Sequence, residues 1–308
     1  MGLRQLYVNL SHRNDNLKHS IAGAGAGCVS SIVTCPLDVA KTRLQNQGVP
    51  IPGILQYKGT VGTLARIWRE EGIRGLYRGL GPTVFGYLPT WAIYFSAYDF
   101  SKTRIAQYLG RGGGGGDWVV HILGAMIAGA TSTTLTSPLW VIRTRLMTQS
   151  DYTSYRYRST LHAFMSIFRD EGIRGFYKGL GPSLIGVSHV AVQFPLYEQL
   201  KIWLRSPNQD STTFQILIAS SLSKMTASVA TYPHEVIRTR LQNQTIPPFK
   251  YQGILHGVKV MMQEEGWRAF YKGMPTNLVR TVPASALTIL TYELLVRQLS
   301  LLEEEARA

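Results

Sequence analysis

Long uncharged stretches alternate with polar, basic segments along the whole chain. Six stand out: Ser20–Leu37, Gly79–Tyr98, Trp118–Ile142, Gly179–Tyr197, Ser211–Tyr232 and Gly273–Tyr292. Four contain no Lys, Arg, Asp or Glu, and the last two hold one cation each, Lys224 and Arg280. As helices, all six are long enough to cross roughly 30 Å of hydrocarbon. They are rich in small residues, as in GAGAG at 23–27 and GAMIAGA at 124–130, which let helix backbones approach closely in lipid. Between spans, apolar residues recur at helical spacing, such as Leu64, Ile67 and Trp68, or Ile254, Val258, Met261 and Met262. The pattern predicts an all-α membrane protein in which six transmembrane helices are joined by amphipathic surface helices. Mean hydropathy near zero, at -0.01, fits a polytopic bundle with a wet interior.

Charge gives this bundle a direction. The net charge is +14, a value that suggests either nucleic acid or an anionic membrane as partner. Three long loops, 41–78, 143–178 and 238–272, carry 20 of the 32 Lys and Arg but only 7 acids. Cations sorted between loops in this way favour the membrane, and no nucleic-acid partner is expected. The positive-inside rule places the long loops on the inner side and both termini outside. The GGGGG run at 112–116 reads as a flexible outer linker. The two cysteines, Cys28 and Cys35, are too few for a disulfide framework or a metal site. Residues 1–19 lack the pattern of a cleavable signal. No nucleophile–base pair, phosphate loop or metal cluster suggests an enzyme, and no cofactor is expected.

The spans belong to a threefold repeat. PLDVAKTRLQ at 36–45 returns as PLWVIRTRLM at 138–147 and PHEVIRTRLQ at 233–242. EGIRGLYRG at 71–79 returns as EGIRGFYKG at 171–179 and EGWRAFYKG at 265–273. YDFSK at 98–102, YEQLK at 197–201 and YELLV at 292–296 close the units. The repeats are read as 18–108, 117–206 and 211–302. A proline within a helix removes one hydrogen bond and bends the chain, so Pro36, Pro138 and Pro233 could converge three helices beneath a cavity. Past Pro36 and Pro233, an acid and a cation three residues later share one helix face, while past Pro138 a tryptophan stands in the acid's place. Three such helices about an axis could form a ring of ion pairs.

These blocks resemble the signature of the mitochondrial carrier family, a proline-acid-cation motif followed by an acid-glycine-aromatic-cation-glycine motif, over about residues 18–300. The resemblance implies a three-fold pseudosymmetric bundle of six helices with three matrix surface helices. It implies the mitochondrial inner membrane, with the termini toward the intermembrane space, and a monomer. In the family's arrangement a matrix gate pairs Asp38 with Arg143 and Glu235 with Lys41. The third pair would join position 140 to Arg238, but Trp140 stands where the acid belongs, so Arg238 is expected to stack on its indole. Gln45 and Gln242 match bracing positions; Met147 does not. The cytoplasmic gate would pair Asp99 with Lys201 and Glu293 with Lys102, and would leave Glu198 opposite Val296. The glycine blocks around Tyr57/Gly59 and Tyr77/Arg78/Gly79 resemble cardiolipin-binding motifs at helix N-termini, with Ser159 departing from the pattern.

Ionisable residues in mid-membrane point to function. Arg280 and Lys224 suit a cavity that takes phosphate or carboxylate. By position in the family, Tyr87, Trp91 and Tyr94 on the second span, Gly186, Val187, His189 and Gln193 on the fourth, and Arg280 on the sixth face the substrate. The small pair Gly186–Val187 is expected to leave room for a flat base. PLDVAKTRLQ, the P-x-W form of the second repeat, LPTWAIYFSAYDFSK, HVAVQFPLYE and TASVATYPHEVIRTRLQ look closest to the NAD+ carriers of fungi and plants. Pyrimidine nucleotide and folate/FAD carriers share the P-x-W form and are the alternatives. The expected activity is NAD+ import by alternating access, in exchange for a nucleotide of the (d)AMP or GMP type.

Overall fold

The computed structural model describes residues 3–49, 56–108, 118–150, 153, 156–204, 213–245 and 248–307; the glycine run at 112–116 lies outside them. The described chain is helical throughout: α1 (Leu3–Asn46), α2 (Gly59–Leu76), α3 (Leu80–Tyr108), α4 (Trp118–Thr148), α5 (Thr160–Gly175), α6 (Leu180–Val187), α7 (His189–Leu204), α8 (Thr213–Gln242), α9 (Ile254–Glu265), a 3-10 turn (Trp267–Tyr271) and α10 (Met274–Arg307). Helix α1 packs on α10, α3 on α4, and α6 with α7 on α8, while α1 meets α3, α4 meets α6 and α8 meets α10. These contacts close a ring of six membrane helices, two per repeat. Three stretches, Ala22–Asn46, Val119–Thr148 and Trp267–Ser300, are individually apolar enough to cross a membrane. The others carry polar residues turned toward neighbouring helices.

The odd-numbered spans run unbroken through Pro36, Pro138 and Pro233 and continue into the long loops. Backbone carbonyls near each proline are bonded by hydroxyls of the same helix, as in Thr34 to Ser30 O (2.8 Å), Thr136 to Ser132 O (2.7 Å) and Thr231 to Ala227 O (2.8 Å). Such back-bonding gives those carbonyls a second donor and tends to bend a helix. The fourth span departs from the single helix expected over Gly179–Tyr197. It is divided between α6 and α7 at Ser188. There both the amide (3.0 Å) and the hydroxyl (2.6 Å) of Ser188 turn back to the Ile185 carbonyl, which tightens the last turn of α6.

The amphipathic surface helices α2 and α5 kink, and α9 ends, where a glycine follows the block's acid. Gly72, Gly172 and Gly266 all adopt positive φ, between 64° and 73°, a conformation that costs a side-chain-bearing residue energy. Each surface helix buries one face against the bundle through Ile67, Ile167 or Met261.

Candidate functional site

The long-loop end is knit by contacts that pass cyclically from one repeat to the next. The second arginine of each proline block is the centre of this ring. Arg43, Arg145 and Arg240 are buried, Arg145 fully. Each forms a two-pronged ion pair with the acid of its own repeat, Glu71, Glu171 or Glu265. Each also donates to carbonyls of the following repeat: Arg43 to Met147 and Gln149, Arg145 to Gln242 and Gln244, Arg240 to Gln45 and Gln47. The cations Arg78, Lys178 and Lys272 contact the same acids at 2.5–2.7 Å. Burial alone would raise the Glu171 and Glu265 carboxyls, but Arg145 with Lys178, and Arg240 with Lys272, hold both below the ordinary carboxylate range. Sequence reasoning did not single out these arginines or acids. Their signal was present in the second cation of each proline block and the acid of each glycine block.

One layer further into the bundle lies the expected ring of ion pairs. Arg143 Nη2 donates to Asp38 Oδ2 at 3.0 Å, and Lys41 Nζ meets Glu235 Oε2 at 2.5 Å. Gln45 donates to Glu235 (3.2 Å) and to the Tyr232 hydroxyl (2.9 Å), and accepts from Thr239 (2.9 Å). At the matching positions Gln242 accepts from Thr144 (2.7 Å), and the Met147 sulfur lies 3.8 Å from the Thr42 hydroxyl. Met147 thus fills its position as an apolar plug beside Cys35, Val39 and Ile67.

Trp140 does not take Arg238 as its partner. The guanidinium of Arg143, one turn along the same helix, lies 5.1 Å from the indole centre, while the indole N–H donates to Thr136 at 3.0 Å. The physical reason is proximity: a residue three positions away on the same helix meets the ring at little entropic cost, while Asp38 holds that guanidinium from its other side. Arg238 makes no hydrogen bond or ion pair within the described residues.

Arg280 occupies a place the sequence did not predict. Its Nε approaches Asp38 Oδ1 at 3.2 Å, so one buried carboxylate, 7% exposed, serves arginines from the second and third repeats. The contact is an ion pair without hydrogen-bond alignment, and the buried Nε atoms of both Arg143 and Arg280 have no hydrogen-bond partner within the described residues. Unsatisfied buried donors are costly. Lys224 is exposed on α8 and carries the same positive charge as Arg280.

Aromatic rings climb away from this floor along one face of α3. Tyr87 meets Trp140 edge-on at 6.2 Å, Trp91 meets Tyr94 edge-on at 5.8 Å, and Tyr94 stacks on Tyr98 at 6.3 Å. The spacing 87, 91, 94, 98 is that of a single helix face. The ladder ends on His121 of α4, whose Nδ1 lies 2.6 Å from the Tyr98 hydroxyl; neither Tyr98 nor His121 was among the expected site residues. On the fourth span, the space beside Gly186 is not open to a flat base. A Cβ there would lie 2.5 Å from His234 Nε2, and Val187 packs on Gly129 of α4. His189 is engaged with Thr231 at 3.1 Å, and Gln193 is half-buried one turn on.

At the terminal end, no ion pair joins Asp99, Lys102, Glu198, Lys201 or Glu293 among the described residues, and the three acids are exposed. The bundle is therefore latched at the long-loop end and unlatched at the other.

The description "Mitochondrial carrier protein" matches residues 12–109, 115–208 and 209–301. Mitochondrial nicotinamide adenine dinucleotide transporter 1 of Saccharomyces cerevisiae is 46% identical over 303 residues, covering 94% of this chain and 79% of that protein. The chloroplastic nicotinamide adenine dinucleotide transporter 1 of Arabidopsis thaliana is 44% identical, covering 91% of each chain. Solute carrier family 25 member 36-A of Danio rerio is 35% identical, covering 92% of this chain and 98% of that protein. With the three matched segments spanning nearly its whole length and coinciding with three helix pairs closed into one ring, the chain belongs to the mitochondrial carrier family.

Proposed function

We propose that this chain carries NAD+ across the mitochondrial inner membrane by alternating access, in exchange for a nucleotide of the AMP or GMP type. The observation that carries this reading is a continuous path of contacts. It runs from Tyr87, on the aromatic face of α3, through Trp140 to Arg143, then through Asp38 to Arg280. A dinucleotide needs both ends of that path: rings to stack its bases, at roughly 1–3 kcal/mol each, and cations to hold its pyrophosphate. Arg280 holds phosphate, with Lys224 beside it, while Tyr87, Trp91 and Tyr94 line the ring-binding wall. The nicotinamide adenine dinucleotide transporters of yeast and Arabidopsis among its relatives support the same substrate.

No covalent chemistry is required. The long loops face the matrix, Asp38–Arg143 and Glu235–Lys41 latch the matrix end, and the outer charges Asp99, Lys102, Lys201 and Glu293 pair when that end opens. Substrate must bind the intermediate better than the latched state, since equal affinity for both shifts nothing. Cardiolipin phosphates dock on the helix starts at Gly59 and Gly253, neither of which has a side-chain cap. The corresponding start of α5 binds lipid more weakly, because the Ser159 hydroxyl already accepts from the His162 amide at 3.1 Å.

The test is uptake of labelled NAD+ into liposomes holding the purified protein. Saturable uptake that requires internal nucleotide is expected, as is loss of uptake in Arg280→Ala with folding retained. Full transport by that variant would remove Arg280 from the site. Stronger competition by a pyrimidine nucleotide, FAD or folate than by unlabelled NAD+ would reassign the substrate.

A further inference from the structure

The even-numbered span of the third repeat touches the α1 ion-pair residues in a way the other two repeats do not. Asn277 lies four residues past Gly273, and Arg280 seven. The same offsets from Gly79 give Thr83 and Gly86, and from Gly179 give Ser183 and Gly186. Thr83 and Ser183 are buried and fold back on their own helices, donating to the Gly79 and Gly179 carbonyls at 2.7 and 2.8 Å. Asn277 instead reaches across the repeat boundary. Its Oδ1 accepts from Lys41 Nζ at 2.9 Å, and its Nδ2 donates to Ser228 Oγ at 2.8 Å. It is 3% exposed. One turn later Arg280 lies on Asp38. Two residues of α10 at helical spacing therefore hold Asp38 and Lys41, the α1 members of the two ion pairs.

We propose that Asn277 and Arg280 form an α10 clamp on α1 that reinforces the two remaining ion pairs of the ring and that senses substrate. The clamp rests on the reading of Arg280 as the phosphate-binding residue. A phosphate that engages Arg280 competes with Asp38 for it. Asp38 then retains Arg143 alone, and Lys41 retains Glu235 and Asn277. Substrate loosens one half of the clamp, and the other half still sets how firmly the empty carrier stays shut. Asn277 acts as a positioning residue through Lys41.

Cys35 offers a reporter. It is 1% exposed, packed with Val39 and Met147 where α1 meets α4, so separation of those helices uncovers its thiol. With Cys28 replaced by serine, the labelling rate of Cys35 by a polar maleimide is measured on the full chain in detergent, with and without NAD+. NAD+ is expected to accelerate labelling. Asn277→Ala should accelerate it without NAD+ by about tenfold, the loss of a hydrogen bond to a charged group, and Lys41→Gln, which also removes the ion pair to Glu235, should accelerate it further. Asn277→Asp, which gives Lys41 a second carboxylate, should slow labelling and lower kcat for exchange while leaving KM within about twofold, the signature of an interaction outside uniform substrate binding. A purely structural asparagine would make both substitutions act in the same direction. That result, or unchanged labelling in all three variants while NAD+ still accelerates wild type, overturns the clamp and leaves the substrate reading intact. Opposite effects of the two Asn277 variants, with NAD+ neither binding nor accelerating wild type, would keep the latch and overturn the substrate reading.

Discussion

Replacing Asp38 with asparagine removes one negative charge and almost no volume. In the latched state Asp38 is the shared counterion of Arg143 at 3.0 Å and Arg280 at 3.2 Å. Removing one partner of a fully buried pair costs about 3–5 kcal/mol, because the other charge is left desolvated. Here the arginine side chains keep 22% and 26% of their surface exposed, so solvent screening reduces that cost to about 2–3 kcal/mol. In a state opened at the long-loop end, both guanidiniums hydrate and the penalty disappears. The substitution therefore shifts the equilibrium away from the latched state by about 30- to 150-fold. The Cys35 labelling assay reads this shift directly, with acceleration of that order expected in Asp38→Asn without substrate. Exchange should slow as well, since a carrier that rests open on one side presents its site less often to the other. Wild-type labelling and wild-type exchange in a folded Asp38→Asn protein would refute the view that this carboxylate holds the long-loop end shut.

Arg145→Met should destabilise the protein by about 3 kcal/mol, because it leaves the buried Glu171 carboxylate to Lys178 alone and removes the donor to the carbonyls of Gln242 and Gln244. Arg169→Ala, in the exposed pair with Asp170, should leave the melting temperature unchanged. Because the Glu171 and Glu265 carboxyls are depressed in the folded state, their stabilisation is present at neutral pH. It should be lost as pH falls below the ordinary glutamate value of 4.5 and through the lower folded values. Melting between pH 7 and pH 3 should show the loss, with a smaller acid dependence in the Glu171→Gln, Glu265→Gln double variant. Gly186→Ala should cost about 1–3 kcal/mol by overpacking, since the new Cβ would lie 2.5 Å from His234 Nε2. His234→Ala in the same chain should recover most of it, measured by melting temperature.

Repetition and helical spacing made much of this protein legible before any fold was known. Three decapeptides, three glycine blocks and six apolar spans sufficed for a ring of helix pairs. The repeats offered the acids and cations of a ring, and the resemblance to the carrier family supplied the pairings Asp38–Arg143 and Glu235–Lys41 and the bracing role of Gln45. Tyr87, Trp91 and Tyr94 of α3 were named by their position in the family. What the tertiary structure decided lies where the repeats differ or where one helix turns against another. Whether Trp140 would meet Arg238 or Arg143 depended on the rotation of α4 relative to α8. The approach of Arg280 to Asp38 depended on the depth at which α10 sits against α1, and the filling of the Gly186 space depended on which way His234 points. Local sequence sets the period of a helix but not its rotation or depth in a bundle. Those are fixed by packing between segments hundreds of residues apart, and with them the environment of every charge at the centre.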